Sequence, residues 1–281
     1  MAAPTEITIS QLQRLIGTPD CPALVDVRDI DDFEADPFLI PGTFRPPAES
    51  LCAPDFTARL HAAFPDRKIV IICKKGLKIS QYHAALLRHL GASAESLEGG
   101  TEAWSAASLP RVPFSAIPRR VAQGPLGSTL WVTRQRPKID RIACPWLIRR
   151  FIDPHAVFLF VSPQDVLSVS ERYGAVPFDV EGVALSHQGE ECSFDTLIRV
   201  FGLETPALSR LATIVRGADT ARLDLAPECA GLLAASLGLS RLHKDDLRQL
   251  DAGLGLYDAF YRWARDAADE THNWPSNGAA A

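Results

Sequence analysis

One stretch of this sequence brings a thiol and a group of cations together at a spacing that suits nucleophilic attack on an anion. Cys73 follows the apolar run Ile69-Val70-Ile71-Ile72 and precedes Lys74, Lys75, Gly76, Leu77 and Lys78. A β-branched run of this length predicts a buried parallel strand. The segment from Gln81 to Leu90, ahead of Gly91, predicts an amphipathic helix with a glycine stop. Cys73 is therefore expected at the carboxyl end of a strand, facing a helix N-terminus. Free N–H groups and the helix dipole favour negative charge there. With Lys74, Lys75 and Lys78 added, such surroundings favour the thiolate form of a cysteine and ready it for attack. The plainer alternative is an inert buried cysteine, because free cysteine is among the most buried residue types. An inert cysteine has no use for neighbouring lysines.

A second group lies in the other half of the chain. Between Ser186 and Asp195 the sequence places His187, Glu190, Glu191, Cys192 and Asp195, and Arg216-Gly217-Ala218-Asp219 brings another carboxylate. His187 with Asp195 and Asp219 makes a candidate transition-metal site of the kind imidazole and carboxylate ligands offer to Mn, Fe or Zn, with Cys192 shifting the choice toward softer ions. The alternative is a loop histidine beside a solvated acidic helix start, which the dipole alone would favour. Arg134, Arg136, Lys138, Arg141, Arg149 and Arg150 form a basic cluster. Guanidinium forks there would suit an oxyanion, but a solvated or ion-paired face is the simpler reading. Burial beside Trp146 is likewise the simpler reading of Cys144.

The elements that must position these groups follow from pattern. Ile7-Thr8-Ile9 predicts a short strand and Gln11 to Ile16 a helix capped by Ser10. Residues 23–27 form a strand that delivers Asp26 and Arg28 to the same sheet edge as Cys73, either as a structural pair or as substrate contacts. Helical spacing recurs over Phe56 to Phe64, and Thr101 caps a helix through Ala107. From Leu109 to Ser128 prolines and glycines alternate with Arg111, Arg119 and Arg120, which predicts a semi-rigid linker. Beyond it, strand and helix patterns alternate from Thr129 to Val180, with Pro145 placing a helix start near Cys144. After Ser193 the pattern is helical, over 193–201, 206–217, 227–238 and 243–265. The fold expected is α/β: a parallel-sheet domain first, then a mixed α/β domain becoming mainly helical.

Composition narrows the classes. At 281 residues the chain is long for one small core. A content of 47% hydrophobic and 22% charged residues is that of ordinary globular protein, and a net charge of −5 argues against nucleic acid as a partner. No apolar run is long enough to span a membrane, and the first residues lack the pattern of a signal peptide. The 6 cysteines are scattered without a Cys-x-x-Cys pair, which is neither a disulfide framework nor a zinc ribbon and fits a reducing, cytoplasmic setting.

The Cys73 loop, with its Cys-x-x-Gly spacing and following Ser80, resembles the active-site loop of rhodanese-type sulfurtransferases. Three further motifs resemble that family in order: Ala23-Leu24-Val25-Asp26-Val27-Arg28, Ile40-Pro41-Gly42-Thr43, and Gly99-Gly100-Thr101-Glu102-Ala103-Trp104. The resemblance implies that Cys73 takes a sulfane sulfur from a thiosulfate-like anion as a persulfide and passes it to a thiol or cyanide-like acceptor. Amides of Lys74, Lys75, Gly76, Leu77 and Lys78 would hold the anion, with Asp26 and Arg28 in support, and no cofactor is needed. Lys78 and Ser80 depart from the family's more usual arginine followed directly by serine. Residues 130–265, including Thr133 to Pro154, the His187 stretch and Leu256 to Ala264, resemble the C-terminal domain of the chromate-resistance family called ChrB. That resemblance implies a link to chromate or oxidative stress. Some members are described as chromate-responsive regulators, although no helix-turn-helix pattern stands here. The expected organisation is a rhodanese-like domain at 1–110, a linker at 111–128, a ChrB-type domain at 129–275 and a tail at 276–281.

Overall fold

The computed structural model describes residues 5–51, 53–121 and 126–270. Cys52 and the tail expected at 276–281 lie outside the described residues. The first half runs β1 (Glu6–Ile7), α1 (Ile9–Leu15), β2 (Ala23–Asp26), α2 (Ile30–Ala35), β3 (Phe38–Leu39), β4 (Thr43–Phe44), α3 (Ala48–Leu51), α4 (Phe56–Ala63), β5 (Ile69–Ile72), α5 (Lys78–His89), β6 (Ala94–Leu97), α6 (Gly100–Ala106) and β7 (Val112–Pro113). The second runs β8 (Leu130–Arg134), α7 (Asp140–Phe151), β9 (Val157–Val161), α8 (Val166–Tyr173), β10 (Val176–Pro177), α9 (Ser193–Val200), α10 (Pro206–Asp219), α11 (Cys229–Leu242) and α12 (Asp246–Asp266). Thus the chain is mixed α/β, opening on a parallel sheet and turning helical after a second, smaller one.

The first sheet has the order β1-β6-β5-β2-β4 and every pairing in it is parallel. Parallel strands are joined by crossover helices and so are covered on both faces, which is why β5 reads as a continuous apolar run. Its side chains divide by parity. Val70 and Ile72 join Leu24, Trp104 and Val112 in a cluster that continues into the second half through Trp146, Phe151 and Tyr261. Ile69 and Ile71 face the other way, with Val25, Phe56, Leu60, Ala84 and Leu87. Cys73 keeps the parity of Ile69 and Ile71, so its side chain joins the face covered by α4 and α5.

The second sheet, order β10-β8-β9, is also parallel. Its helices pack around α7, which touches α9, α10 and α12. Trp146 of α7 is fully buried among Phe151, Phe194, Tyr257 and Tyr261. Part of the proline-rich stretch is also structured: Val112–Pro113 pairs antiparallel with β3, and Arg111 bonds Asp36 at 2.9 Å. Residues 122–125 of that stretch lie outside the described residues.

Several local expectations change. The strand expected at 7–9 ends at Ile7, with Ile9 already in α1, and Gly99 rather than Thr101 stands at the N-cap of α6. Thr8, not Ser10, caps α1, through a reciprocal capping box with Gln11. Pro145 stands inside α7, which begins at Asp140. An interior proline costs about 3 kcal/mol, and the complete burial of Ala143, Cys144, Trp146, Leu147 and Ile148 along the same helix offsets it.

Two glycines hold the turn after β5 in place. Gly76 has φ +69°, and a Cβ there would stand 2.2 Å from the Leu97 carbonyl oxygen. Gly100 has φ +58°, and a Cβ there would stand 2.1 Å from the Cys73 carbonyl oxygen. The backbone amides of Thr101 and Glu102 then donate to the carbonyls of Cys73 and Lys74, each at 3.0 Å. Gly100→Ala is expected to lower stability by ~2 kcal/mol or more, combining left-handed strain with a backbone clash. Urea unfolding followed by tryptophan fluorescence checks it, and an unchanged midpoint would show that this turn shifts freely.

Candidate functional site

Cys73 stands at the end of the central strand, at the foot of a loop whose outer residues Lys75, Leu77 and Lys78 are exposed. The cysteine is only 6% exposed. Its Sγ lies 3.1 Å from Ser80 Oγ, and that hydroxyl can donate to the Leu77 carbonyl at 3.0 Å. This makes a two-position relay. A Cys73 thiol can donate to Ser80 while Ser80 donates to Leu77; a thiolate instead accepts a hydrogen bond from the serine hydroxyl. Ser80 is fully buried on the first turn of α5. Helix α5 has no side-chain cap, so its first amides carry no protein side-chain acceptor.

The lysines separate into two kinds. Lys74 pairs with Asp32 at 2.6 Å, and that contact raises its pKa. Lys75 and Lys78 have no ion pair among the described residues. The cleft beside Lys74 is lined by Asp32, Asp36 and Glu102 as well as Arg28, so its carboxylates disfavour an anion on that side. Positive potential therefore lies with Lys75, Lys78 and the start of α5.

Asp26 and Arg28 take the structural alternative. Both are 1% exposed, and Arg28 forks onto Asp26 at 2.6 to 3.2 Å while its remaining donors reach the Asp36 and Phe38 carbonyls. Four of its five N–H donors are thereby taken, and its burial keeps it from acting as an open anion clamp. Arg45, which the motifs did not single out, also bonds Asp26 at 3.2 Å and stacks 3.8 Å over the Phe33 ring. Asp26→Asn leaves two buried guanidiniums short of their countercharge, and a loss of about 3–5 kcal/mol is expected. A urea midpoint close to the parent's would show that the pair carries little.

In the second half the structure redraws the expected set. His187 Nε2 lies 3.4 Å from Asp140, 3.5 Å from Asp179 and 3.3 Å from Asp219. Asp195 is elsewhere: one oxygen accepts from the Cys192 amide in the cap of α9 and the other pairs with Arg216 at 2.7 Å. Its place is taken by Asp140, at the start of α7, and Asp179, after β10. Asp179 has a left-handed backbone, φ 52°. The contacts to Asp140 and Asp179 push His187 up to about 10. Burial, reinforced by the charges of Asp140 and Asp179, pushes Asp219 up to about 7. Burial likewise raises Asp140. It works against Asp179 too, but hydrogen bonds from His187 and Ser193 and the charge of Arg134 win and hold that group low.

Four members of the basic cluster are ion-paired. Arg134 and Arg141 meet Asp179, Arg149 meets Asp251, and Arg150 forks onto Asp258. Arg136 is held by Asp246, Ser240 and the His243 carbonyl. Cys144 is wholly buried, which raises its pKa. Burial raises Cys21 to about 11 and raises Cys192 far more. Brief iodoacetamide treatment near neutral pH should therefore spare Cys21, Cys144 and Cys192 in the native protein. Peptide mass spectrometry checks this; rapid alkylation of Cys144 or Cys192 would contradict the packing around α7.

A parallel sheet in the first half thus presents a cysteine at the head of a loop held by two glycines. Residues 8–107 match the rhodanese-like domain family, and residues 131–264 match the family described as the ChrB C-terminal domain; the chain joins the two. Over 133 residues it is 40% identical to Protein ChrB of Cupriavidus metallidurans (strain ATCC 43123 / DSM 2839 / NBRC 102507 / CH34), covering 47% of this chain and 39% of that relative. Among solved structures, a rhodanese-related protein from Thermoplasma volcanium is 23% identical, with 38% of this chain and 96% of that one covered and a TM-score of 0.31. A protein from Staphylococcus saprophyticus subsp. saprophyticus is 29% identical, with 35% and 91% covered and a TM-score of 0.29. Among the described residues no helix is long and apolar enough to cross a membrane.

Proposed function

We propose that the first half transfers sulfur through a persulfide on Cys73, and that the second half ties this chemistry to resistance against chromate or oxidative stress. The observation that carries the proposal is the position of Cys73: at the carboxyl end of β5, hydrogen-bonded to Ser80, below a loop with two unpaired lysines. The division at 111–128 belongs to the same reading. So do a thiosulfate-like donor and a thiol or cyanide-like acceptor.

The chemistry balances without an added oxidant. The Cys73 thiolate attacks the outer sulfur of thiosulfate; a Cys–S bond forms, the S–S bond of thiosulfate breaks, and sulfite leaves with the electron pair. An acceptor nucleophile then attacks the terminal sulfur and Cys73 leaves as thiolate. Ser80 can donate to the thiolate before attack and after release. Amides of residues 74–78 face the charge that develops on the donor, while Lys75 and Lys78 draw the anion in.

A second reading shares the same atom. The 6% exposure of Cys73 and the capture of Lys74 by Asp32 both disfavour rapid turnover. Thiosulfate and chromate are both tetrahedral dianions, and chromate would oxidise the thiolate as its chromium is reduced. Cys73 would then act as a chromate sensor, with the second half passing the signal to a partner.

Mass spectrometry of the full chain after thiosulfate should find Cys73 heavier by one sulfur atom, with thiocyanate formed when cyanide follows. Cys73→Ser should reduce that rate by at least about 100-fold. A wild-type chain that forms no persulfide yet loses its Cys73 thiol to chromate would replace transfer by sensing. Failure of both reactions would remove each reading.

A further inference from the structure

Neither sulfur transfer nor sensing at Cys73 uses the group around His187, which lies wholly in the other half. Four elements converge there: Asp140 from the start of α7, Asp179 from the turn after β10, His187 from the loop before α9, and Asp219 from the last residue of α10. One ligand atom each from Asp140, His187 and Asp219 can be chosen so that all lie within 4.8 Å of one another. Ligands bound at about 2.1 Å to one ion at tetrahedral or trigonal angles stand roughly 3.4 to 3.6 Å apart, close to the 3.4 and 3.3 Å that already separate His187 Nε2 from Asp140 and Asp219. Shifts of well under an ångström per side chain therefore close the set.

The state of Asp140 sets this cluster apart from an ordinary acidic patch. Its carboxylate is 0% exposed. One oxygen, Oδ2, accepts from the Ser193 amide at 2.6 Å and faces His187. The other, Oδ1, is buried with no hydrogen-bond partner. A buried carboxylate oxygen without a donor is costly, and cations are what such groups coordinate. The surroundings are also organised as a support. Ser193 Oγ donates to Asp179 Oδ1 at 2.8 Å, and Arg134 and Arg141 occupy Asp179 Oδ2. That leaves Asp179 anchored as a carboxylate on the same side of the imidazole, its Oδ1 3.5 Å from Nε2. Exposure rises from 0% at Asp140 through 20% at Asp219 to 40% at His187, which gives an ion a route from solvent to the buried carboxylate.

We propose that Asp140, His187 and Asp219 bind one divalent first-row transition cation, with Asp179 beside them adding negative charge. Two carboxylates and one imidazole suit Mn(II), Fe(II) or Zn(II) rather than a thiolate-seeking ion. Three protein ligands leave coordination positions open, and the exposed side of His187 puts them toward solvent. Such a centre can hold water or a small oxyanion, unlike a closed structural site.

The test uses the full chain, treated with chelator and dialysed. Titration with Mn(II) near neutral pH, following the free-ion electron paramagnetic resonance signal, should show one ion bound per chain. Zn(II) should displace it, in line with the usual order of affinity. His187→Gln and Asp219→Asn should each weaken binding by at least ~10-fold, whereas Asp195→Asn should leave the stoichiometry unchanged. Spin-echo modulation on the wild-type Mn(II) complex should report one coupled imidazole nitrogen, a readout that needs no variant to fold. Absence of stoichiometric Mn(II) and Zn(II) binding, or a bound ion without nitrogen coupling, would overturn the proposal. The persulfide measurement on Cys73 reads a different atom, so either result stands without the other.

Discussion

Strand β5 is covered on both faces, and that double burial governs where everything else lies. Ile69 and Ile71 are held by α4 and α5, while Val70 and Ile72 join the cluster that runs through Trp104 to Trp146. A strand enclosed in this way cannot slip by one residue without turning its whole side-chain pattern over. Cys73, one step past the strand, inherits that fixity, and its carbonyl and that of Lys74 are bound to the start of α6. The first half of the molecule and the aromatic cluster of the second therefore share one apolar body. Gly17 illustrates the closeness of the contact: a Cβ there would stand 2.4 Å from the Phe151 ring.

Both candidate sites obey the same architectural rule. In open parallel sheets, ligands gather beyond the carboxyl ends of the strands, where loops lead into helix N-termini. Cys73 follows β5 and leads into α5. In the second sheet Arg134 ends β8, Asp140 opens α7, and Asp179 follows β10 across the β8 pairing. The electrostatic character of the two ends is opposite. The first offers helix amides and two lysines without an ion pair among the described residues, whereas the second gathers three carboxylates around one imidazole. One molecule thus carries an anion-facing and a cation-facing edge.

Much of the first half was legible in the sequence because its signals are local. A β-branched run, a glycine at a loop position that needs positive φ, and a double glycine before Thr101 each act within a few residues. Arg28 is harder: its type and place are visible, but only three-dimensional contact with Asp26, Asp36 and Phe38 shows that most of its donors are taken. Lys74 was misjudged in the same way, since Asp32 is 42 positions earlier. In the second half the structure brings His187 and Asp219 together as the sequence suggests, but it places Asp195, their expected partner from the same short stretch as His187, elsewhere. Asp195 caps its own helix, as an acidic residue at the third helical position does. Asp140 is separated from Ser193, the residue that binds it, by 53 positions and two strands, and no periodicity in the chain reports such a contact.

Asp140 also shows why a buried charge is more informative than an exposed one. Surface carboxylates are solvated and their positions tolerate drift, so a group of them says little. Removing a carboxylate from water costs several kcal/mol unless a partner replaces the lost hydration. Here the replacements are incomplete: one backbone amide and a half-exposed imidazole serve one oxygen, and the other has none. An apolar side chain of similar size at that position would avoid the cost. It would also leave the Ser193 amide without an acceptor and His187 with fewer countercharges. The fold keeps the carboxylate where its charge is least screened, and a charge held in low dielectric acts most strongly on whatever cation comes near it.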